Sequence, residues 1–271
     1  SLIVSEITCN NANNASITVL ATGGSLPYLY SNTNGFVTQN GISFINLSPN
    51  QYIIYVRDQD GCVDRDTITI DQPDSIYIDT TIFSHITCYG ANDGFIQSIS
   101  AFGGVHPYLY SVNGGAYHSN MAYFNNYGPG VYTVEVMDSN NCTAQDIIII
   151  EEPDELNVTI NQSLWNGFSI KCHGDNSGYI DILVSGGNTP YTKTILDANN
   201  SIFYSGTSNN ITGFSAGIYS LTVTDNNGCS TQEFITFNEP NPISHNFVID
   251  HITCTGWSNG SITAIISGGV G

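Results

Sequence analysis

Short runs of alternating apolar and polar residues recur along the whole chain, as in Ser16-Ile17-Thr18-Val19-Leu20, Ile53-Ile54-Tyr55-Val56 and Ser220-Leu221-Thr222-Val223. Successive side chains of a strand point to opposite faces, so a period of two marks a strand with one face buried. The runs are rich in Val, Ile, Thr, Tyr and Phe and are bounded by the turn formers Gly, Asn, Asp and Pro. No stretch shows a helical period with caps, and an all-β chain is expected.

These strands belong to a repeat. Cys9 precedes Gly23-Gly24, Cys88 precedes Gly103-Gly104, Cys172 precedes Gly186-Gly187 and Cys254 precedes Gly268-Gly269, each time by fourteen or fifteen residues. Each full copy continues with Pro-Tyr (Pro27-Tyr28, Pro107-Tyr108, Pro190-Tyr191) and then a tyrosine ten residues before a second cysteine (Tyr52/Cys62, Tyr132/Cys142, Tyr219/Cys229). A proline closes each copy eleven residues later, at Pro73, Pro153 or Pro240. Self-similarity at a period of about 80 residues is the signature of an array. Residues 1–73, 74–153 and 154–240 are therefore three copies, and 241–271 begins a fourth.

Length varies chiefly between Pro-Tyr and the later tyrosine and between the closing proline and the next cysteine, which assigns those segments to a surface loop and a linker. Each copy reads as a small immunoglobulin-like β-sandwich of about seven short strands. Asp-rich turns such as Asp58-Gln59-Asp60-Gly61 and Asp225-Asn226-Asn227-Gly228 stand between the tyrosine strand and the second cysteine, where a tight hairpin needs residues that tolerate positive φ.

Units of this size are marginal on a hydrophobic core alone, so a covalent staple is expected. The two cysteines of each copy are 53, 54 and 57 residues apart, and closing such a loop is worth about 4 kcal/mol. The expected bonds are Cys9–Cys62, Cys88–Cys142 and Cys172–Cys229, one disulfide per repeat. Cys254 is then expected to bond a partner past Gly271, in a longer polypeptide of which this is a segment. Stapled cysteines place the chain outside a reducing cytoplasm. Zinc is disfavoured, because no Cys-x-x-Cys pair is present.

A net charge of −19, from 23 acidic and four basic residues, argues against nucleic acid and anionic lipid as partners. No apolar run is long enough to cross a membrane as a helix. Calcium is the one candidate cofactor, with Asp58, Asp60, Asp138 and Asp225 in the second-cysteine turns and Asp93 and Asp175 in the polar loops after the first cysteines. Those loops are expected to reach the turns through the disulfides. Gly213-Phe214-Ser215-Ala216-Gly217 matches the nucleophile elbow of hydrolases, but it precedes a strand and aligns with turns that lack the motif, so no catalytic residue is assigned and no enzyme is expected. The six histidines occupy unrelated repeat positions. Tyr28/Tyr30 and Tyr108/Tyr110 share one face of a strand, where they form either a sugar-binding platform or cross-strand packing.

Taken together, Cys-x-Gly, Gly-Gly-x-x-Pro-Tyr-x-Tyr-Ser, Gly-x-Tyr and Asp-x-x-Gly-Cys resemble the SprB repeat of Bacteroidota surface proteins. Cys88-Tyr89-Gly90, Gly103-Gly104-Val105-His106-Pro107-Tyr108-Leu109-Tyr110-Ser111 and Gly130-Val131-Tyr132 carry the pattern in the second copy. Cys172-His173-Gly174, Gly217-Ile218-Tyr219 and Asp225-Asn226-Asn227-Gly228-Cys229 carry it in the third, whereas the first has Asn10-Asn11 for the glycine and Asn50-Gln51-Tyr52 for Gly-x-Tyr. The resemblance implies a long, secreted cell-surface adhesin of tandem repeats, of the kind that acts in gliding and leaves by the type IX system. It also implies O-glycosylation at sites such as Asp66-Thr67-Ile68.

The expected function is that of a spacer or adhesive segment of an extracellular filament-forming protein, with neighbouring repeats or copies of itself as partners. The alternatives are a glycan-binding module that takes surface polysaccharide and a fibre subunit that packs side by side. An elongated particle at low salt, bundling when divalent cations are added, is expected.

Overall fold

The computed structural model describes residues 1–33, 42–119 and 124–270. The described residues form strands and turns, with no helix long and apolar enough to cross a membrane. The fold is all-β and immunoglobulin-like, built from several small sheets.

In the first copy, β1 (Leu2–Ser5), β2 (Ala15–Val19) and β4 (Ser43–Leu47) form one sheet in the order β1-β2-β4. A second sheet holds β3 (Leu29–Ser31), β5 (Asn50–Arg57) and β6 (Val63–Ile70) in the order β3-β5-β6. Burial alternates along β2, and Ile17, Phe44, Ile54 and Ile70 meet between the sheets.

The second copy pairs β7 (Tyr77–Ser84) with β8 (Phe95–Phe102) and sets β9 (Leu109–Val112), β10 (Gly130–Met137) and β11 (Thr143–Ile150) in the order β11-β10-β9. In the third, β12 (Asn157–Gln162), β13 (Gly178–Ser185) and β16 (Asn210–Phe214) form one sheet. Its other sheet takes β14 (Thr192–Leu196), β15 (Ile202–Gly206), β17 (Gly217–Thr224) and β18 (Ser230–Phe237) in the order β15-β14-β17-β18. The edge strand β15 lies in the longer loop of this copy. A two-stranded sheet of β19 (Ser244–Asp250) and β20 (Ser261–Ser267) ends the chain.

Two compact units result. One holds Ser1–His85 with Asn92–Glu151, and the other holds Ile86–Ala91 with Glu152–Gly271. The second unit therefore takes the cysteine turn around Cys88 out of the second copy and packs it with the third.

Candidate functional site

The second-cysteine hairpins are built around one carboxylate. Asp138 Oδ1 accepts the backbone N–H groups of Asn140 and Cys142, both at 2.9 Å, and its Oδ2 accepts that of Val105, just past Gly103-Gly104, at 2.9 Å. Asp225 does the same for Asn227, Cys229 and Asn188. Asp58 accepts from Cys62 and Ser25. Backbone donation from Ser25 and then Cys62 holds the Asp58 carboxyl below its ordinary value, because both bonds favour the charged form. The aspartate thus ties its hairpin to the Gly-Gly turn of the same copy.

The two glycines are required for different reasons. A Cβ on Gly104 or Gly187 would lie 2.6 or 2.7 Å from the Asp138 or Asp225 carboxylate oxygen. One on Gly103 or Gly186 would lie 2.0 or 1.9 Å from the backbone carbonyl oxygen of Ser75 or Glu155. The first glycine therefore lets the linker pass, and Gly104 N and Gly187 N donate to the linker carbonyls of Asp74 and Asp154 at 2.9 and 2.8 Å.

The first-cysteine turn is seated on the same linker from the other side. Asn11 N donates to Gln72 Oε1 at 2.8 Å, and Asn10 Nδ2 donates to the Pro73 carbonyl at 3.0 Å. In the second unit Gly90 N donates to Glu152 Oε2 at 2.9 Å. Asn11, Gly90 and Gly174 all have positive φ, which explains why asparagine can replace glycine at this position.

Hairpin and turn meet across the linker. Asn140 Nδ2 donates to the Thr8 carbonyl at 2.9 Å, and Asn227 Nδ2 donates to that of Thr87 at 3.0 Å. Beside each contact a disulfide closes: Cys9–Cys142, with Cα atoms 5.7 Å apart, and Cys88–Cys229, 5.6 Å apart. Cys62, Cys172 and Cys254 are free and exposed.

The expected bonds Cys9–Cys62, Cys88–Cys142 and Cys172–Cys229 are therefore corrected: the first cysteine of one copy bonds the second cysteine of the next. The reason is geometric. β5 and β6 pair from Asn50↔Ile70 to Arg57↔Val63, and the Cys9 turn sits on Gln72 and Pro73 at the first end while Cys62 lies just past the second. Eight residues of strand separate these ends by about 25 Å, several times the Cα separation that a disulfide spans. Equal spacing of the cysteines reflects equal places in the fold, not proximity.

The polar loops expected to join the acidic turns of their own copy are accordingly placed elsewhere, since the turn around Cys9 meets the hairpin of Asp138. Asp60 Oδ2 accepts the Ser25 hydroxyl at 2.6 Å, and Asp175 Oδ1 accepts the N–H of Asn176 at 2.8 Å. Asp93 belongs to the first unit and Asp225 to the second. Among the described residues, no group of three or more His, Cys, Asp or Glu side chains is arranged to hold a metal ion.

The Gly-x-Ser-x-Gly stretch is a strand-to-strand turn. Gly213 has φ +94°, and Asn46 and Asn126 at the same repeat position are also left-handed. Ser215 Oγ lies 3.3 Å from the Tyr219 hydroxyl. Tyr52, Tyr132 and Tyr219 each reach a carbonyl four residues upstream, the tyrosine corner of immunoglobulin-like sandwiches.

The alternating tyrosines turn inward. Tyr30 is 8% exposed within the first core, and the hydroxyls of Tyr28, Tyr108 and Tyr191 donate to the carbonyls of Gly23, Gly103 and Gly186. Lys193 takes the place of Tyr30 in the third copy. It is buried, its Nζ donates to the Thr207 carbonyl at 3.0 Å, and burial lowers its pKa. Of the histidines, His173 pairs with Glu239 at 3.0 Å, and His85 Nδ1 accepts the N–H of Glu151.

Two sets of functional residues escaped the sequence reading. Gln72, Glu152 and Glu239 each stand immediately before a closing proline, and Asn140 and Asn227 each stand two residues before the second cysteine. Both signals are visible in the repeat alignment, but only the bond register explains them.

The family described as SprB repeat matches the chain over residues 1–35, 80–117 and 169–200. No curated protein matches it in sequence. Among solved structures, it is similar at 11% identity to three N-terminal domains of the bacteriophage RB49 highly immunogenic outer capsid protein, covering 88% of this chain and 96% of that one at a TM-score of 0.37. The N-terminal eight immunoglobulin domains of Down syndrome cell adhesion molecule are similar at 9% identity over 88% of this chain, with a TM-score of 0.35, and this chain spans 36% of that one. A tetra-tandem repeat from the extending region of a large adhesion protein is similar at 12% identity, over 98% of this chain and 87% of that one, with a TM-score of 0.25.

Proposed function

We propose that this chain, three segments of which match the SprB repeat, is a repetitive surface adhesin segment that acts as a load-bearing spacer whose repeats are bonded covalently to one another, serving attachment or gliding at a bacterial surface. The observation that carries this reading is the interleaved pair of disulfides: Cys88 lies inside the span closed by Cys9–Cys142, and Cys142 lies inside the span closed by Cys88–Cys229. A break at any one peptide bond between Cys9 and Cys229 leaves the two pieces joined, including a break in either linker. Staples confined to single repeats would leave both linkers as points where one cut parts the chain. Such a device suits a protein exposed to proteases and tension and has no evident use in a site of chemistry. We read the chain as non-enzymatic.

The test is a protease site inserted between Asp74 and Ser75. After cleavage the two pieces should migrate as one species on a non-reducing gel and separate when a reductant is added. Separation without reductant would refute the covalent spacer.

A second reading, lateral packing into a fibre, draws on the outer faces of the closing hairpins. Val131 and Ile149 sit opposite each other and are exposed, as are Ile147, Ile218 and Phe234. Unpaired apolar faces of this kind favour association, and the charge of −19 opposes it. Sedimentation should then show oligomers that grow as salt or Mg²⁺ is raised. A monomer at every ionic strength would count against the fibre.

A further inference from the structure

The junction at residues 240–243 repeats the geometry of the two closed clasps on one side and is bare on the other. Gly269 N donates to the Asn241 carbonyl at 2.9 Å, as Gly104 and Gly187 do to theirs. A Cβ on Gly268 would lie 2.0 Å from the Pro242 carbonyl oxygen. Gly174 N donates to Glu239 Oε2 at 2.6 Å, so the Cys172 turn is seated like that of Cys88. Half of a clasp is fully formed here.

Among the described residues, none fills the other half. Where Gly104 and Gly187 face an aspartate carboxylate, the described neighbours of Gly269 are atoms of Ile243 alone. Ile17 and Ile180 are completely buried, whereas Ile262, at the same repeat position, is 71% exposed. Ile7, Ile86 and Ile170 are buried two residues before their cysteines, and Ile252 is exposed two residues before Cys254. Cys172 is free, although Cys9 and Cys88 at its repeat position are both bonded.

We propose that Cys172 and the open face of β19–β20 form one docking seat for the second half of another repeat of this kind, and that this partner's second cysteine bonds Cys172 rather than Cys254. The partner is defined by its chemistry: a Gly-x-Tyr strand, then a hairpin whose aspartate enters beside Gly269, whose asparagine two residues later reaches the Lys171 carbonyl, and whose final cysteine meets Cys172. Its sheet covers Ile262. Bond formation removes two protons and two electrons from the two thiols, and a low-molecular-weight disulfide such as glutathione disulfide accepts them and leaves as two glutathione thiols. The inference follows from the bond register in this chain and does not depend on the spacer reading.

The test mixes the full chain with an isotope-labelled peptide of the sequence 190–240, which carries Asp225, Asn227 and Cys229, in a glutathione redox buffer. Peptide mapping should find the labelled Cys229 on Cys172 in roughly tenfold excess over Cys62 and Cys254, the selectivity expected of a few hydrogen bonds. Amide exchange in β20 should slow on binding. The same peptide with D225A should lose the preference. Adducts spread evenly over the three thiols, concentrated on Cys254 or absent, or unchanged exchange in β20, would overturn the proposal.

Discussion

The hairpins 58–62 and 138–142 are assembled from the same parts and end differently. In both, an aspartate accepts the N–H of the cysteine four residues later and an N–H just past its own Gly-Gly turn. In the second, Asn140 reaches out to the Thr8 carbonyl and Cys142 is bonded to Cys9. In the first, Asp60 stands in the place of Asn140 and turns back to the Ser25 hydroxyl, and Cys62 is exposed as a thiol. An aspartate has no hydrogen to give to a carbonyl at neutral pH. The comparison separates two roles that the sequence places side by side: the aspartate closes its own repeat, and the cysteine is directed at a neighbouring one.

The largest expected contrast comes from removing each cysteine. The bond Cys9–Cys142 closes a span of 133 residues, which makes it worth about 5 kcal/mol in the chain-entropy account. Cys142→Ser should destabilise the first unit by about that amount in denaturant titrations, and Cys62→Ser by less than about 0.5 kcal/mol. Equal effects would erase the distinction between the hairpins.

Glycine substitutions sharpen the comparison next. Gly103→Ala places a Cβ 2.0 Å from the Ser75 carbonyl oxygen, so linker or turn must move, at a cost of about 3 kcal/mol. Gly23, with φ +84° and open space around it, should lose only about 1 kcal/mol on the same change, for the left-handed backbone alone. Urea midpoints of the two variants would measure the linker's share directly.

The aspartates follow. Asp138 is 2% exposed, and Asp138→Ala strands backbone donors in a buried turn, costing about 2 kcal/mol, with a smaller loss for Asp58→Ala. The Asp58 carboxyl is held below its ordinary value of 3.8, so its contribution is fully present above that pH and disappears as pH falls through the lower folded value. The stability gap between the native chain and Asp58→Asn should thus be constant near neutrality and close in acid. A gap that widens in acid would mean that the backbone bonds to Asp58 do not stabilise the charged form.

The smallest expected effect is that of chelation. The carboxylates of Asp58, Asp138 and Asp225 already accept backbone donors, so excess EDTA should leave the melting temperature unchanged. A clear drop would restore calcium to these turns.

Much of the fold was legible in the sequence because it depends on local chemistry. Alternation in Ser16-Ile17-Thr18-Val19 marks β2, the Asp turns mark their hairpins, and the length changes fall in the loop and linker. Gly23-Gly24 and its counterparts could be recognised as a motif, but their two separate causes, linker and carboxylate, lie far away in sequence. The disulfide register was not legible. Spacing within a copy says nothing about which end of a sandwich each cysteine occupies, and that is set by β5 and β6 running the full length between Pro73 and Cys62. Tyr28 and Tyr30 were open to two readings until the hydroxyl of one was found on Gly23 and the ring of the other in the core.

Non-reducing peptide mapping of the purified chain tests the central claim most directly. The account predicts cross-linked peptides joining Cys9 to Cys142 and Cys88 to Cys229, with Cys62, Cys172 and Cys254 open to alkylation. Peptides joining Cys9 to Cys62, Cys88 to Cys142 and Cys172 to Cys229 would contradict it.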